Sequence, residues 1–114
     1  MEMNAALSSF EALSQETRLA TVRLLVRAGP AGLPAGDIAS ALGCRPNTLS
    51  THLKLLVAAG LVDGRREGRS IFYSASYAGL RDVIRYLMED CCAGHADIFG
   101  PSQKEITTHE TLSR

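Results

Sequence analysis

The stretch GDIASALGCRPNTLSTHLKLLVAAG, residues 36–60, limits the folds open to this chain more than any other. Ile38 and Leu42 recur at i, i+4, which predicts a short helix over Ala35–Leu42. Gly43 suits the left-handed position that follows a helix C-terminus. Pro46 suits the first position of the next helix, where a missing N–H forfeits no hydrogen bond, and Gly60 ends that helix. Two short helices joined by a tight turn make a helix–turn–helix, around which the remaining elements must pack.

The second of these helices separates cleanly by angle. Leu49, Leu53, Leu56 and Gly60 fall on one side. Asn47, Thr51, Lys54 and Ala58 fall on the other, with Thr48 and Ser50 beside them and Arg45 just ahead of the helix. Short polar side chains let a backbone enter a major groove, where amides and hydroxyls reach base edges and phosphates. An ordinary surface helix carries more acids, and residues 45–62 contain none. His52 lies on the shoulder between the two faces, and two roles fit it: contact with a phosphate, or packing near the following hairpin.

That hairpin is predicted from two strand-forming runs, Leu61 and Val62, then Ile71, Phe72 and Tyr73, with Gly68 supplying the turn. Arg65, Arg66 and Arg69 surround the turn and are expected to form an arginine-rich tip. A wing placed there reaches phosphates or the minor groove. The chain's formal net charge is zero, yet residues 43–70 hold five cations against two acids, and residues 82–105 reverse the balance with five acids against two cations. Charge alone describes a mixed solvated surface; joined to the helix–turn–helix, it describes a local nucleic-acid footprint.

Flanking helices complete the plan. A helix begins after Ser14, read as its N-cap, with Leu19, Val22 and Val26 as an inward stripe and Leu25 beside it; Gly29 and Pro30 stop it. A shorter helix precedes it over about 5–13. The last helix, SYAGLRDVIRYLMED, carries Leu80, Val83, Ile84, Leu87 and Met88, a stripe broad enough for more than one neighbour. The expected fold is mainly α with a small β-hairpin: a winged helix–turn–helix over 1–94, homodimeric through its first and last helices, with a loose polar tail over 95–114. Two copies would set their reading helices about 34–36 Å apart, one turn of duplex DNA. The other arrangement is a monomer with its last helix folded on its own core.

At 114 residues, 46% apolar, the chain suits one small domain that gains from oligomerisation. No apolar run is long enough to span a membrane and no basic–apolar leader opens the sequence, so a cytoplasmic protein is expected. Three cysteines, an odd number, argue for reduced thiols over a disulfide framework. Cys44 lies in the tight turn, as a plain turn residue or as a thiol beside a helix N-terminus. Cys91 and Cys92 are adjacent, after Glu89 and Asp90 and shortly before Gly94, a setting that disfavours burial of both. Adjacent thiols allow soft-ion binding, a labile vicinal disulfide, or inert packing.

The segments ETRLATVRLL, GDIASALG, NTLSTHLKLLVAAGLV and RREGRSIFYSA, together spanning about residues 13–92, resemble the ArsR family of bacterial winged-helix repressors in order and spacing. The resemblance implies a homodimer that binds double-stranded operator DNA and dissociates when a metal, metalloid or oxidant occupies a sensing site. One group of arsenic repressors carries a cysteine pair on the helix before the recognition helix; LPAGDIA has none. Zinc sensors use aspartate and histidine on the last helices, where this chain offers Asp82 and no histidine until His95. A further group has adjacent cysteines at the end of the last helix and a third beyond; EDCCAGHADIF is similar to it, with a non-cysteine near Ile98 in the third place. By that resemblance the inducer is trivalent arsenic, arsenite or a methylated arsenite, held by Cys91 and Cys92. Trivalent arsenic takes three sulfurs, whereas a methylated arsenical needs two. His95 offers a nitrogen donor better matched to zinc than to arsenic, so zinc and redox sensing remain open. Cys91 or Cys92 with His95 would also suit a thiol catalyst, but no orienting partner or pocket accompanies them, and no enzyme activity is expected.

Overall fold

The computed structural model describes residues 1–91, with side chains through Met88. The side chain of Cys91, all of Cys92 and His95, and the expected tail over 95–114 lie outside the described residues. The elements run α1 (Met3–Leu13), α2 (Glu16–Ala28), β1 (Leu33–Pro34), α3 (Ala35–Leu42), α4 (Pro46–Ala58), β2 (Val62–Glu67), β3 (Ser70–Ala75) and α5 (Tyr77–Arg85), followed by a π-helical turn, Tyr86–Cys91. The chain divides into two units, Met1–Val83 and Ile84–Arg114, with the boundary inside α5.

The first unit is built on one core. Val22 and Leu25 of α2, Ile38 of α3, and Leu49, Leu53 and Leu56 of α4 meet Leu61, Val62, Ala75 and Val83 in one apolar cluster. Gly43 closes α3 in the left-handed region at φ 65°, and its N–H and that of Cys44 bond the last carbonyls of α3. Pro46 opens α4 one short turn later. The helix–turn–helix thus forms where the sequence places it.

Other elements differ from expectation for identifiable reasons. In α2 the buried residues are Thr21, Val22 and Leu25, while Leu19 and Val26 remain 45% and 42% exposed. The buried face is rotated toward Thr21, which a hydropathy stripe counts as polar. Thr21 tolerates full burial because its hydroxyl donates to the Thr17 carbonyl at 2.7 Å. Ser14 does not cap α2. It ends α1, and its hydroxyl donates back to the Glu11 carbonyl at 2.7 Å. Gln15 is the cap, its side-chain oxygen accepting the Arg18 N–H at 2.9 Å.

The hairpin is part of a three-stranded antiparallel sheet in the order β1-β3-β2. Leu33 pairs with Tyr73 and Pro34 with Phe72, a two-residue strand too short to show alternation in the sequence. Pro34 is tolerated because β1 is an edge strand. Glu67 pairs with Ser70, so the wing turns through the two residues Gly68 and Arg69. Only Arg69 lies at the tip; Arg65 and Arg66 are inside β2. In the second unit the helix does not run on as α to Asp90 but changes to the π-helical turn after Arg85. Among the described residues no helix is long and apolar enough to cross a membrane.

Ser76 accepts the Gly79 N–H at 3.1 Å and donates its own N–H to the Leu61 carbonyl at 2.9 Å, fixing the start of α5 to the turn after α4. A Cβ at Gly79 would overlap the Gly60 carbonyl oxygen, a backbone atom that cannot swing aside. Gly79→Ala is therefore expected to destabilise the fold by roughly 1–3 kcal/mol, read as a lower urea midpoint at an unchanged m-value.

Candidate nucleic-acid interface

Burial of three leucines orients α4. Leu49 and Leu56 are fully buried and Leu53 is 2% exposed. The opposite face then looks outward: Asn47, Thr48, Ser50, Thr51 and Lys54 are all exposed, as is Arg45 at the N-cap position. No side chain caps the first turn of α4. Its unbonded N–H groups and the positive end of the helix dipole therefore add to a surface already free of acids.

The wing extends this surface. A cleft of about 340 Å³ between α4 and the sheet is lined by Leu53, Lys54, Val57, Gly64, Arg66, Ile71 and Tyr73, so Lys54 and Arg66 face one space. Among the described residues Arg45, Lys54, Arg66 and Arg69 form no ion pair. Arg65 is different. Its Nε donates to Glu67 Oε2 at 2.6 Å and its Nη2 to the Ala31 carbonyl at 3.0 Å, and the guanidinium lies 5.6 Å from the centroid of Phe72, its cross-strand partner. Residues 65 and 67 share one face of β2, whereas Arg66 projects to the other. Alternation along the strand thus separates Arg65, which braces the wing against the α2–β1 loop, from Arg66, which stays unpaired like Arg69 at the tip.

His52 is half-buried, and its Nδ1 lies 3.2 Å from Nη1 of Arg18 on α2. This polar contact with α2 is neither of its two expected roles. Arg18 went unnoticed in the sequence because its role depends on three elements meeting. Cys44 is half-buried against the core. Among the described residues no three His, Cys, Asp or Glu side chains gather as a metal site.

A small helix–turn–helix with a three-stranded wing and an outward, acid-free second helix defines the class of winged helix–turn–helix DNA-binding domains. Residues 13–65 match the family model described as a helix-turn-helix domain. The HTH-type transcriptional regulator NmtR of Mycobacterium tuberculosis is 43% identical over 93 residues, covering 79% of this chain and 75% of that protein. The transcriptional repressor SdpR of Bacillus subtilis is 32% identical over 89 residues, covering 78% and 96%. The solved ArsR-like transcriptional regulator from Rhodococcus sp. RHA1 superposes with a TM-score of 0.69 at 30% identity, covering 96% of each chain. The chain belongs to the ArsR family of winged helix–turn–helix transcriptional regulators. It is a regulator and not an enzyme.

If Arg65 braces the wing, Arg65→Ala should speed amide hydrogen exchange in β2, β3 and the loop at Ala31 while leaving helical circular dichroism unchanged. Arg66→Ala, which removes an unpaired side chain, should leave those exchange rates as they are.

Proposed function

We propose that this chain is a metalloid-responsive transcriptional repressor, which binds operator DNA as a homodimer and leaves it when trivalent arsenic, inorganic or methylated, binds Cys91 and Cys92. The observation that carries the DNA half is the exposed face of α4 with its unpaired cations. Asn47, Thr48, Ser50 and Thr51 would read base edges and phosphates from the major groove, and Lys54 and Arg45 would contact the backbone. Arg66 and Arg69 would hold phosphates from the wing, with Arg65 supporting them from behind. Repression is the direction favoured by the SdpR likeness.

Dimerisation is supported by apolar side chains left bare in the isolated subunit. On α1 this is Leu7, 54% exposed. On α5 and the turn after it they are Tyr77, Ile84 and Leu87. A contiguous exposed apolar patch marks a surface that a partner covers, and the dimer reading takes these residues as parts of one.

The sensing half rests on the chemistry of the donor set. Cys91 ends the π-helical turn and Cys92 is the next residue in the sequence, so the chain carries two adjacent cysteines there. Thiolates are soft donors that select thiophilic ions, and two of them satisfy a methylated trivalent arsenical. When bound, the arsenical would cross-link the two sulfurs. The protein's part is to hold two deprotonated thiols together and to pass the change to the dimer helix. The cytoplasm keeps such thiols reduced. The same vicinal pair supports a second reading, in which an oxidant joins the sulfurs as a strained, easily reduced disulfide.

Two measurements test the proposal on a duplex selected from a random pool by the protein itself. In the first, Lys54→Ala and Arg66→Ala should each lower affinity and reduce the salt slope of binding by about one; unchanged slopes would remove these residues from the interface. In the second, the bound complex is titrated in parallel with arsenite, methylarsenite, zinc and peroxide. Arsenicals should weaken binding roughly 5–150-fold, and Cys91→Ser or Cys92→Ser should abolish the response while sparing DNA binding. Release by peroxide alone selects the redox reading, and release by none of the four sinks both.

A further inference from the structure

We propose that Arg18 and His52 form a clamp that sets the stance of α4 against α1, and that His52 serves DNA binding as a positioning residue through Arg18 and not by touching a phosphate. The inference rests on the DNA-reading role of α4 argued above.

The guanidinium of Arg18 binds in three directions. Its Nε donates to the Ala12 carbonyl at 2.7 Å, its Nη2 reaches the Glu11 carbonyl at 3.5 Å, and its Nη1 faces His52 Nδ1 at 3.2 Å. Glu11 and Ala12 lie in the last turn of α1; the Glu11 carbonyl already accepts the Ser14 N–H and hydroxyl, so the short Arg18 contact to Ala12 is the main tie to this helix end. Arg18 starts from the first turn of α2, where the Gln15 cap holds its own N–H at 2.9 Å. Its backbone is therefore fixed while its side chain joins the end of α1 to the shoulder of α4.

The chemistry of each partner makes the contact directional. Arginine has only donors, so Nδ1 of His52 must present its lone pair and the ring proton must sit on Nε2. A guanidinium is a planar fork, and satisfying two of its arms fixes where the third points. Both side chains are half-buried, which shields the contact from water more than a surface pair.

Apolar packing covers this place only in part: Ala12 joins the core cluster, with Phe10, Leu13 and Ala59 packed against it. A cavity of about 230 Å³, lined by Ser8, Glu11, Ala12, Leu55 and Ala59 as well as Arg18, separates α1 from the second half of α4. The leucine seam fixes the depth and rotation of α4 in the core. It leaves the tilt of α4 toward α1 to a polar link across this gap. Leu7 on α1 is exposed and belongs to the proposed dimer seam, so the clamp would also tie the reading helix to that seam.

The two ring nitrogens allow a decisive test, because an asparagine oxygen can stand in for Nδ1 and a glutamine amide for Nε2–H. The intact chain and four variants, Arg18→Met, Arg18→Lys, His52→Asn and His52→Gln, are titrated against the duplex selected by wild type, each checked for its melting temperature and oligomeric state. Arg18→Lys keeps the charge at the end of α1 but replaces the planar fork with a single nitrogen, which does not span Ala12 and His52 in the same geometry. The clamp predicts that Arg18→Met, Arg18→Lys and His52→Gln weaken binding roughly tenfold, about 1.4 kcal/mol, at an unchanged salt slope, and that His52→Asn binds within about twofold of wild type. It also predicts that adding His52→Gln to Arg18→Met costs little more. His52→Gln binding normally while His52→Asn fails would make His52 a phosphate contact and overturn the proposal. So would a salt slope lower by about one in Arg18→Met, or Arg18→Lys binding as wild type. Wild type that selects no duplex is a different failure, that of the DNA-binding reading itself.

Discussion

Three leucines on α4 hold the rest of the arrangement in place. Leu49, Leu53 and Leu56 stand at i, i+4, i+7, and each is essentially sealed from solvent. Burying such a side chain contributes about 1.5–3 kcal/mol. A turn of the helix by one residue would exchange two of the three for a hydroxyl and an imidazole (Thr48, His52) in one direction, or a hydroxyl and a lysine (Ser50, Lys54) in the other, which would lose their water without finding partners. The rotation of α4 is therefore determined by its inner face, and the outer face follows. Asn47, Thr51 and Lys54 need no contacts of their own to point outward. The polar surface this gives is rigid because the apolar surface behind it is.

The wing adds reach by a division of labour among similar side chains. Arg65, Arg66 and Arg69 look equivalent as letters, yet strand pleating sends Arg65 toward Glu67, Phe72 and the Ala31 carbonyl while Arg66 lines the cleft beside Lys54. An exposed ion pair such as Arg65–Glu67 contributes little to stability, commonly less than about 1 kcal/mol. Its effect is geometric: with the backbone carbonyl and the ring, it restricts where the wing stands. This also shows how a chain of zero net charge can suit DNA. At physiological salt, fields fade over about 8 Å, so a patch of unpaired cations acts on a phosphate before distant acids do.

Legibility followed from how local each signal was. Gly43, Pro46 and the leucine spacing of α4 each depend on a few neighbouring residues, and the helix–turn–helix formed as read. Thr21 displaced Leu19 and Val26 from the core because a hydroxyl satisfied within its own helix behaves as apolar, which residue type does not reveal. Ser14 and Gln15 were both chemically able to cap α2, and one residue's difference in the end of α1 decided between them. β1 exists only because β3 lies beside it, so two residues, one of them proline, gave no strand signal. Of the candidate site, the outward residues of α4 were legible by angle. The bracing role of Arg65 and the meeting of Arg18 with His52 were not, since each joins residues 34 positions apart in sequence. The side chains of Cys91, Cys92 and His95 remain readings of the sequence alone.

The same energies limit how a sensor of this kind can work. A ligand shifts an equilibrium only by the difference in its affinity for the two states, and coupling between sites is commonly about 1–3 kcal/mol. One buried leucine of α4 is worth as much, and the core contains several. If an inducer binds at the end of the last helix as proposed, it would lack the energy to unseat α4 and would have to act by moving intact subunits relative to each other. A duplex demands both reading helices at one spacing, so a small change in that spacing removes contacts from one of them at little conformational cost. Reciprocity then requires that operator DNA weaken the inducer's binding by the same factor as the inducer weakens the DNA's. The free dimer would be the better receptor, and the bound one would respond only as fast as it exchanges with the free pool or is reached directly by ligand.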